Sequence, residues 1–234
     1  MSLLGLDIGT SGCKGVAYAL DGEAITSGYR EYGTLHLQPG WAELDSRQVW
    51  ACIKEVIAEI AVKTAKDPIT ALSMCTMGEA MTPVSQDRQI LGNSIVHADT
   101  RGGPYLDHLR ETIGQERFYR INPNILGTNY SLPKLKWIQE HQPEIYDQTY
   151  KFLLWGDCAT FMLGCEPWTS YSQANRTLLF DIHAETWSDE ILALTGIDRQ
   201  LLPSVVPSAT IAGTIAKPIA TELQSFFSCN CPSM

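Results

Sequence analysis

No stretch of this chain approaches the roughly 20 apolar residues that a membrane-spanning helix needs. The N-terminus shows neither a basic segment nor a small-residue cleavage pattern, so no signal peptide is expected. Positive charge is scarce: 17 Lys and Arg against 26 Asp and Glu leave a net charge of -9. That balance excludes the broad basic face that nucleic acid or an anionic membrane would require, but not a local cradle for a small anion. The cysteines are an odd and scattered set, at 13, 52, 75, 158, 165, 229 and 231. Cys229 and Cys231 are too isolated to suggest a zinc site, which usually draws on four ligands. Reduced thiols, and with them a cytoplasmic location, are the expectation. Internal repeats, low-complexity linkers and the G-x-x-x-x-G-K-[ST] loop are also missing.

What is present is an ordered alternation of apolar runs and turns. Residues 3–8 and 13–20 read as buried strands joined by a tight turn, and 24–33 as a third antiparallel strand after "DGE". Residues 37–45 read as a loop. Asp45 or Ser46 is placed to cap a helix over 47–65, where Val49, Ile53, Val56, Ile57, Ile60 and Ala61 share one face. A buried strand is expected within 67–76, giving a βββαβ start. Further helices are expected over 101–114, over 132–148 with a break at Pro143, over 155–164 and over 188–196. Residues 169–181 read as a loop leading into a short strand or turn, and 210–224 as a strand with a helix start. The last stretch, "QSFFSCNCPSM" at 224–234, is an atypical tail that completes no strand or helix.

Chemistry first suggests itself in "GLDIGTSGCKGVAYALDGE" (5–23). A loop that holds phosphate needs exposed backbone N–H groups, small residues and hydroxyl donors. Gly9, Thr10, Ser11 and Gly12 supply these, and Lys14 adds a positive charge. Asp7, at the end of the first strand, is suited to hold a hydrated Mg²⁺ through its waters. On composition alone a plain hairpin with a glycine turn remains equally open.

Five stretches together resemble the FGGY family of carbohydrate kinases. They are the hairpin itself, "GWAELDSRQVW" (40–50), "MGEAMTPVSQDRQILGNSIVHADTRG" (77–102), "NYSLPKLKWIQEHQPEIYDQTYKFLLWGDCATFMLG" (129–164) and "SYSQANRTLLFDIHAETW" (170–187). The similarity spans about residues 3–223. It implies a ribonuclease H-like α/β fold of the actin-like ATPase superfamily: three antiparallel strands extended by parallel ones, flanked by helices, with a helical insertion. It also implies ATP- and Mg²⁺-dependent phosphorylation of a sugar or polyol hydroxyl.

By that resemblance Asp7, Gly9, Thr10, Ser11, Gly12 and Lys14 face the ATP phosphates and metal. Glu79, Asp99, Asn129 and Tyr130 stand at sugar-facing positions, where a carboxylate accepts charge-assisted bonds from hydroxyls. Arg101 reads as a structural ion-pair partner, and Trp41 and Trp50 as packing residues. Three departures accompany the resemblance. His97 stands where the family's Trp-x-Asp-x-Arg begins, and Ser170 where it has an aspartate. After "GTIAKPIATEL" (213–223) the glycine-rich segment bearing the family's catalytic aspartate does not follow, nor does the second ATP-holding domain. The expectation is an N-terminal, sugar-binding domain with no catalytic residue of its own and little activity alone. The missing half, or a second copy of the chain, would cover an exposed inter-domain face. A non-catalytic binding or regulatory module and one chain of a split kinase are the alternatives.

Overall fold

A computed structural model describes residues 1–225 of the chain. The first part is β1 (Ser2–Ile8), β2 (Gly12–Ala19), β3 (Ala24–Glu31), the two-residue β4 (Glu43–Leu44), α1 (Ser46–Lys63) and β5 (Ile69–Thr76). The sheet runs β3-β2-β1-β5, antiparallel through its first three strands, with β5 parallel to β1. The expected extension by parallel strands thus amounts to one strand in this sheet, reached by the crossover helix α1 as a parallel pair requires.

Alternation sets the faces. Ser2, Leu4, Leu6 and Ile8 of β1 are buried while Leu3 and Asp7 are exposed. Asp45 caps α1, its carboxylate accepting the amides of Arg47 and Gln48. The helix buries Val49, Ile53, Val56, Ile57 and Ile60 on the sheet. Gly15 makes this close approach possible: a Cβ there would lie 2.5 Å from Ile60 Cδ1 and 2.7 Å from Val56 Cγ1.

The second part is mainly the helical insertion. It comprises β6 (Met81–Val84), β7 (Ser94–Ile95), α2 (Gly103–Thr112), α3 (Gln115–Ile121), α4 (Ser131–His141), α5 (Pro143–Gln148), β8 (Lys151–Leu154) and α6 (Trp155–Met162). Pro143 opens α5, so the expected break in 132–148 stands between two helices. The remainder is β9 (Trp168–Ser170), α7 (Tyr171–Asn175), β10 (Phe180–Asp181), β11 (Thr186–Trp187), α8 (Asp189–Thr195), β12 (Ser204–Val206) and α9 (Lys217–Ser225). A second core, with Phe118, Leu135, Trp137, Phe152, Phe180 and Trp187, lies beneath the insertion.

Three local readings are corrected. β5, expected as a buried strand, lies at an edge of the sheet and has no fully buried residue. The stretch read as a loop over 169–181 contains the one-turn helix α7, capped by Ser170, whose hydroxyl accepts the Gln173 amide. Serine and aspartate are comparable caps, so the departure at 170 keeps this local role. The strand expected within 210–224 is absent: 210–216 carry no regular structure and α9 begins at Lys217. Gly213 sits at φ 145°, outside strand geometry, and α9 docks on the first core through Leu223. Most of the tail read at 224–234 lies outside the described residues.

Candidate functional site

The hairpin between β1 and β2 turns tightly, the Gly9 amide donating to Gly12 O at 3.0 Å. Among the described residues the amides of Thr10 and Ser11 have no partner. Two tyrosines hold the turn from below: Tyr32 Oη donates to Gly9 O at 2.7 Å, and Tyr32 N donates to Ser11 O at 3.1 Å. Tyr29 packs so closely on Gly12 that a Cβ there would lie 2.4 Å from its hydroxyl. Asp7 and Lys14 are directly opposed across the β1–β2 ladder and both are exposed. The turn therefore offers two free amides, two hydroxyls, an ammonium and a carboxylate on one surface. That donor set fits a phosphate chain with a hydrated divalent cation.

The segment leaving β5 runs directly beside this turn, because Met77 N donates to Ile8 O at 3.0 Å. Two residues on stands Glu79. Its carboxylate is gripped by Arg176, whose Nε lies 2.9 Å from Oε1 and whose Nη2 also bonds it. The guanidinium in turn lies 4.7 Å from the Tyr130 ring centroid. Arg176 reaches this place through a sharp reversal: Leu178, fully buried, adopts φ 67°, a left-handed conformation uncommon outside glycine. Ser131 Oγ donates to Glu79 O at 2.7 Å, pinning the start of α4 to the same segment. Lys134, only 3% exposed, donates from Nζ to Asn129 O at 2.9 Å. Tyr130 is buried, with its hydroxyl on Asn124, and Asn129 is half-buried.

Asp99 lies deeper, at 0% exposure. Its carboxylate accepts Ala42 N at 2.7 Å, Arg101 N at 2.9 Å and Arg101 Nη2 at 2.6 Å. Arg101 also pairs with Glu43 at 2.7 Å, and its guanidinium is flanked by the rings of Trp41 at 3.8 Å and Trp137 at 4.6 Å. Arg101 is thus an internal ion-pair partner and Trp41 a packing residue, in line with the sequence reading, while Trp50 packs against the first core. Asp99 belongs to this buried network behind the site. His97 is exposed on the turn that precedes it.

The structure therefore brings Asp7, Gly9, Thr10, Ser11, Gly12 and Lys14 into one turn and sets Glu79 and Tyr130 together nearby. Sequence reasoning assigned no role to Arg176, Lys134, Gln173 or Thr76. Gln173 Nε2 lies 3.5 Å from Thr76 Oγ1, bridging α7 to the end of β5. Arg176 lay within a recognised stretch, but nothing in its spacing named Glu79 as partner. A cavity of about 430 Å³, lined by Tyr105, His108, Lys136 and Glu140, includes none of the candidate residues.

Comparison with known proteins shows the family and the fold. The model of the FGGY family of carbohydrate kinases, N-terminal domain, matches residues 2–225. A xylulose kinase of Bacillus subtilis is 30% identical over 223 residues, covering 94% of this chain and 44% of the relative. Glycerol kinase 2 of Thermotoga maritima is 30% identical over 231 residues, covering 93% and 46%. Among solved structures, xylulose kinase from Rhodospirillum rubrum superposes with a TM-score of 0.88 at 23% identity, over 96% of this chain and 47% of that one, a likeness of fold. The chain spans less than half the length of these relatives. These 234 residues belong to the FGGY family of carbohydrate kinases, of which they carry the N-terminal domain.

Proposed function

We propose that this chain is the sugar-binding half of an ATP-dependent kinase that phosphorylates a sugar or polyol hydroxyl. The observation that carries the reading is the Met77–Ile8 hydrogen bond, which sets the Glu79 wall against the Gly9–Gly12 turn. Phosphoryl transfer depends on positioning and charge neutralisation, and these are what such a surface supplies. The free amides and hydroxyls of Thr10 and Ser11 bind phosphate oxygens, Gly9 and Gly12 allow their close approach, and Lys14 adds charge. Asp7 holds a Mg²⁺ through water. ATP and Mg²⁺, when bound, supply the transferable group and neutralise its charge.

Glu79 accepts hydroxyl donors from the sugar, its carboxylate held in one orientation by Arg176. Asn129 and Tyr130 line the same wall, and Asp99 acts from behind it by fixing Arg101 and the 40–43 backbone. The base that takes the hydroxyl proton and the second phosphate-holding jaw come from residues beyond these 234, in a longer chain or a separate one. The exposed sheet face carrying Leu3, Tyr18 and Tyr29 is where that other body, or a second copy, packs. The acidic balance speaks against nucleic acid, and the odd, scattered set of cysteines for a cytoplasmic setting.

Titration calorimetry of the chain with D-xylulose, gluconate and glycerol tests the binding half of this reading, and a coupled ADP-release assay the other. Saturable heat with at least one polyol and no turnover are expected. Flat isotherms with all three overturn the sugar site, and robust turnover overturns the dependence on a second body.

A further inference from the structure

Lys134 is an unusual lysine. Long cationic side chains normally carry their heads to water, yet this one is 3% exposed among Leu132, Leu135, Trp137 and Ile138. It also stands in the opening turn of α4, whose N-terminal dipole disfavours positive charge. Its hydrogen bond goes to the carbonyl of Asn129, the residue before the helix cap Tyr130. The charged groups facing it come from three separate segments: Glu79 after β5, Asp99 and Arg101 before α2, and Arg176 after α7. With Glu43, which pairs Arg101, these make three carboxylates against two guanidiniums, and the ammonium balances them.

We infer that Lys134 is a positioning residue, whose buried ammonium holds the Asn129–Tyr130 turn against the Glu79–Arg176 pair and so keeps the polyol-facing wall assembled. Burial brings its pKa down from 10.5 to about 8, Glu79 and Asp99 resisting that fall. An opened turn returns the ammonium to water and to its ordinary pKa, so the turn opens less readily as pH rises through 8. The effect on polyol binding rests on the function proposed above; the hold on the turn does not.

Hydrogen exchange of the whole chain tests this at pH 7 and 9.5, on wild type, Lys134→Met and Lys134→Arg, with polyol titration in parallel. Loss of the hydrogen bond is expected to lower protection of residues 127–131 by about tenfold in Lys134→Met, leaving β1–β3 unchanged. Wild type is expected to gain protection there between pH 7 and 9.5, relative to the intrinsic exchange rate. Lys134→Arg, which stays charged throughout, is expected to show no such gain. Polyol affinity should follow the same pattern. If 127–131 are equally protected in wild type at both pH values, the inference is wrong, even should Lys134→Met fail to fold. Equal protection in wild type and Lys134→Met overturns it as well. Should wild type bind no polyol while the exchange pattern appears, the proposed function falls and the hold on the turn stands.

Discussion

At the scale of single residues the structure is defined by charges taken out of water. Asp99, Glu43 and Arg101 are each within a few percent of complete burial. Removing one member leaves the others uncompensated, so Arg101→Met is expected to destabilise the chain by about 3–5 kcal/mol, read from urea melts. Two buried groups make opposite pH predictions. Burial pushes Asp157 up from 3.8 to about 8. The folded chain therefore binds the extra proton between those values, and the stability this contributes below pH 3.8 is lost as pH rises through 8. Asp157→Asn is expected to raise the melting temperature relative to wild type, more at pH 8 than at pH 5. Lys134 is the reverse: the unfolded chain keeps its proton up to about pH 10.5 and the folded chain only to about 8. Its contribution is fully present above 10.5 and lost as pH falls through 8, so wild type is expected to gain heat stability from pH 7 to 9.5 through this group, a gain that Lys134→Met lacks. Glu79 was legible in the sequence because it stands in a recognisable segment. Its partner was not, because Arg176 lies 97 positions away and only the fold brings them together. The burial of Asp99 was hidden likewise, one of its donors being Ala42, 57 positions back.

At the scale of elements, periodicity carried most of the information. The alternation of β1 and the apolar stripe of α1 are local facts, and both were readable to within two residues of their ends. The stretch over 210–216 misled because "TIAGTIA" has strand-like β-branched content, whereas Gly213 and the following Lys217-Pro218 helix start decide otherwise. The one-turn α7 is too short for any period to reveal, and its signal is the Ser170 cap alone. The glycines of β2 divide their labour. Gly15 lets α1 lie on the sheet, so Gly15→Ala is expected to cost about 1–3 kcal/mol in denaturant melts by overpacking Ile60 and Val56. Tyr32 acts instead on the turn: Tyr32→Phe removes its bond to Gly9 O. A loss of about 1 kcal/mol is expected, together with weaker nucleotide protection of residues 9–12 in hydrogen exchange.

At the scale of the whole molecule, the described residues form two cores and leave one sheet face open. The first core joins the four-stranded sheet, α1, α6 and α9, and the second lies under the insertion. The candidate site stands where they meet, built from the turn of one and the wall of the other. On the sheet surface away from α1, Leu3, Tyr18 and Tyr29 are between 39% and 52% exposed, beside Asp7 and Lys14. An apolar patch next to charged phosphate-facing groups suits a partner that closes over both. Tyr18→Lys is accordingly expected to weaken self-association in concentration-dependent light scattering without lowering the melting temperature. The arrangement of the two cores was not readable from the chain, because contacts across such sequence separations leave no local pattern. The family segments made the class of fold legible all the same. The most direct test of the account is titration calorimetry of D-xylulose, gluconate and glycerol into wild type and Glu79→Gln. Saturable binding of at least one polyol, weakened about tenfold or more by the substitution, is the predicted result. Equal affinity in the two proteins, or no binding to wild type, would contradict it.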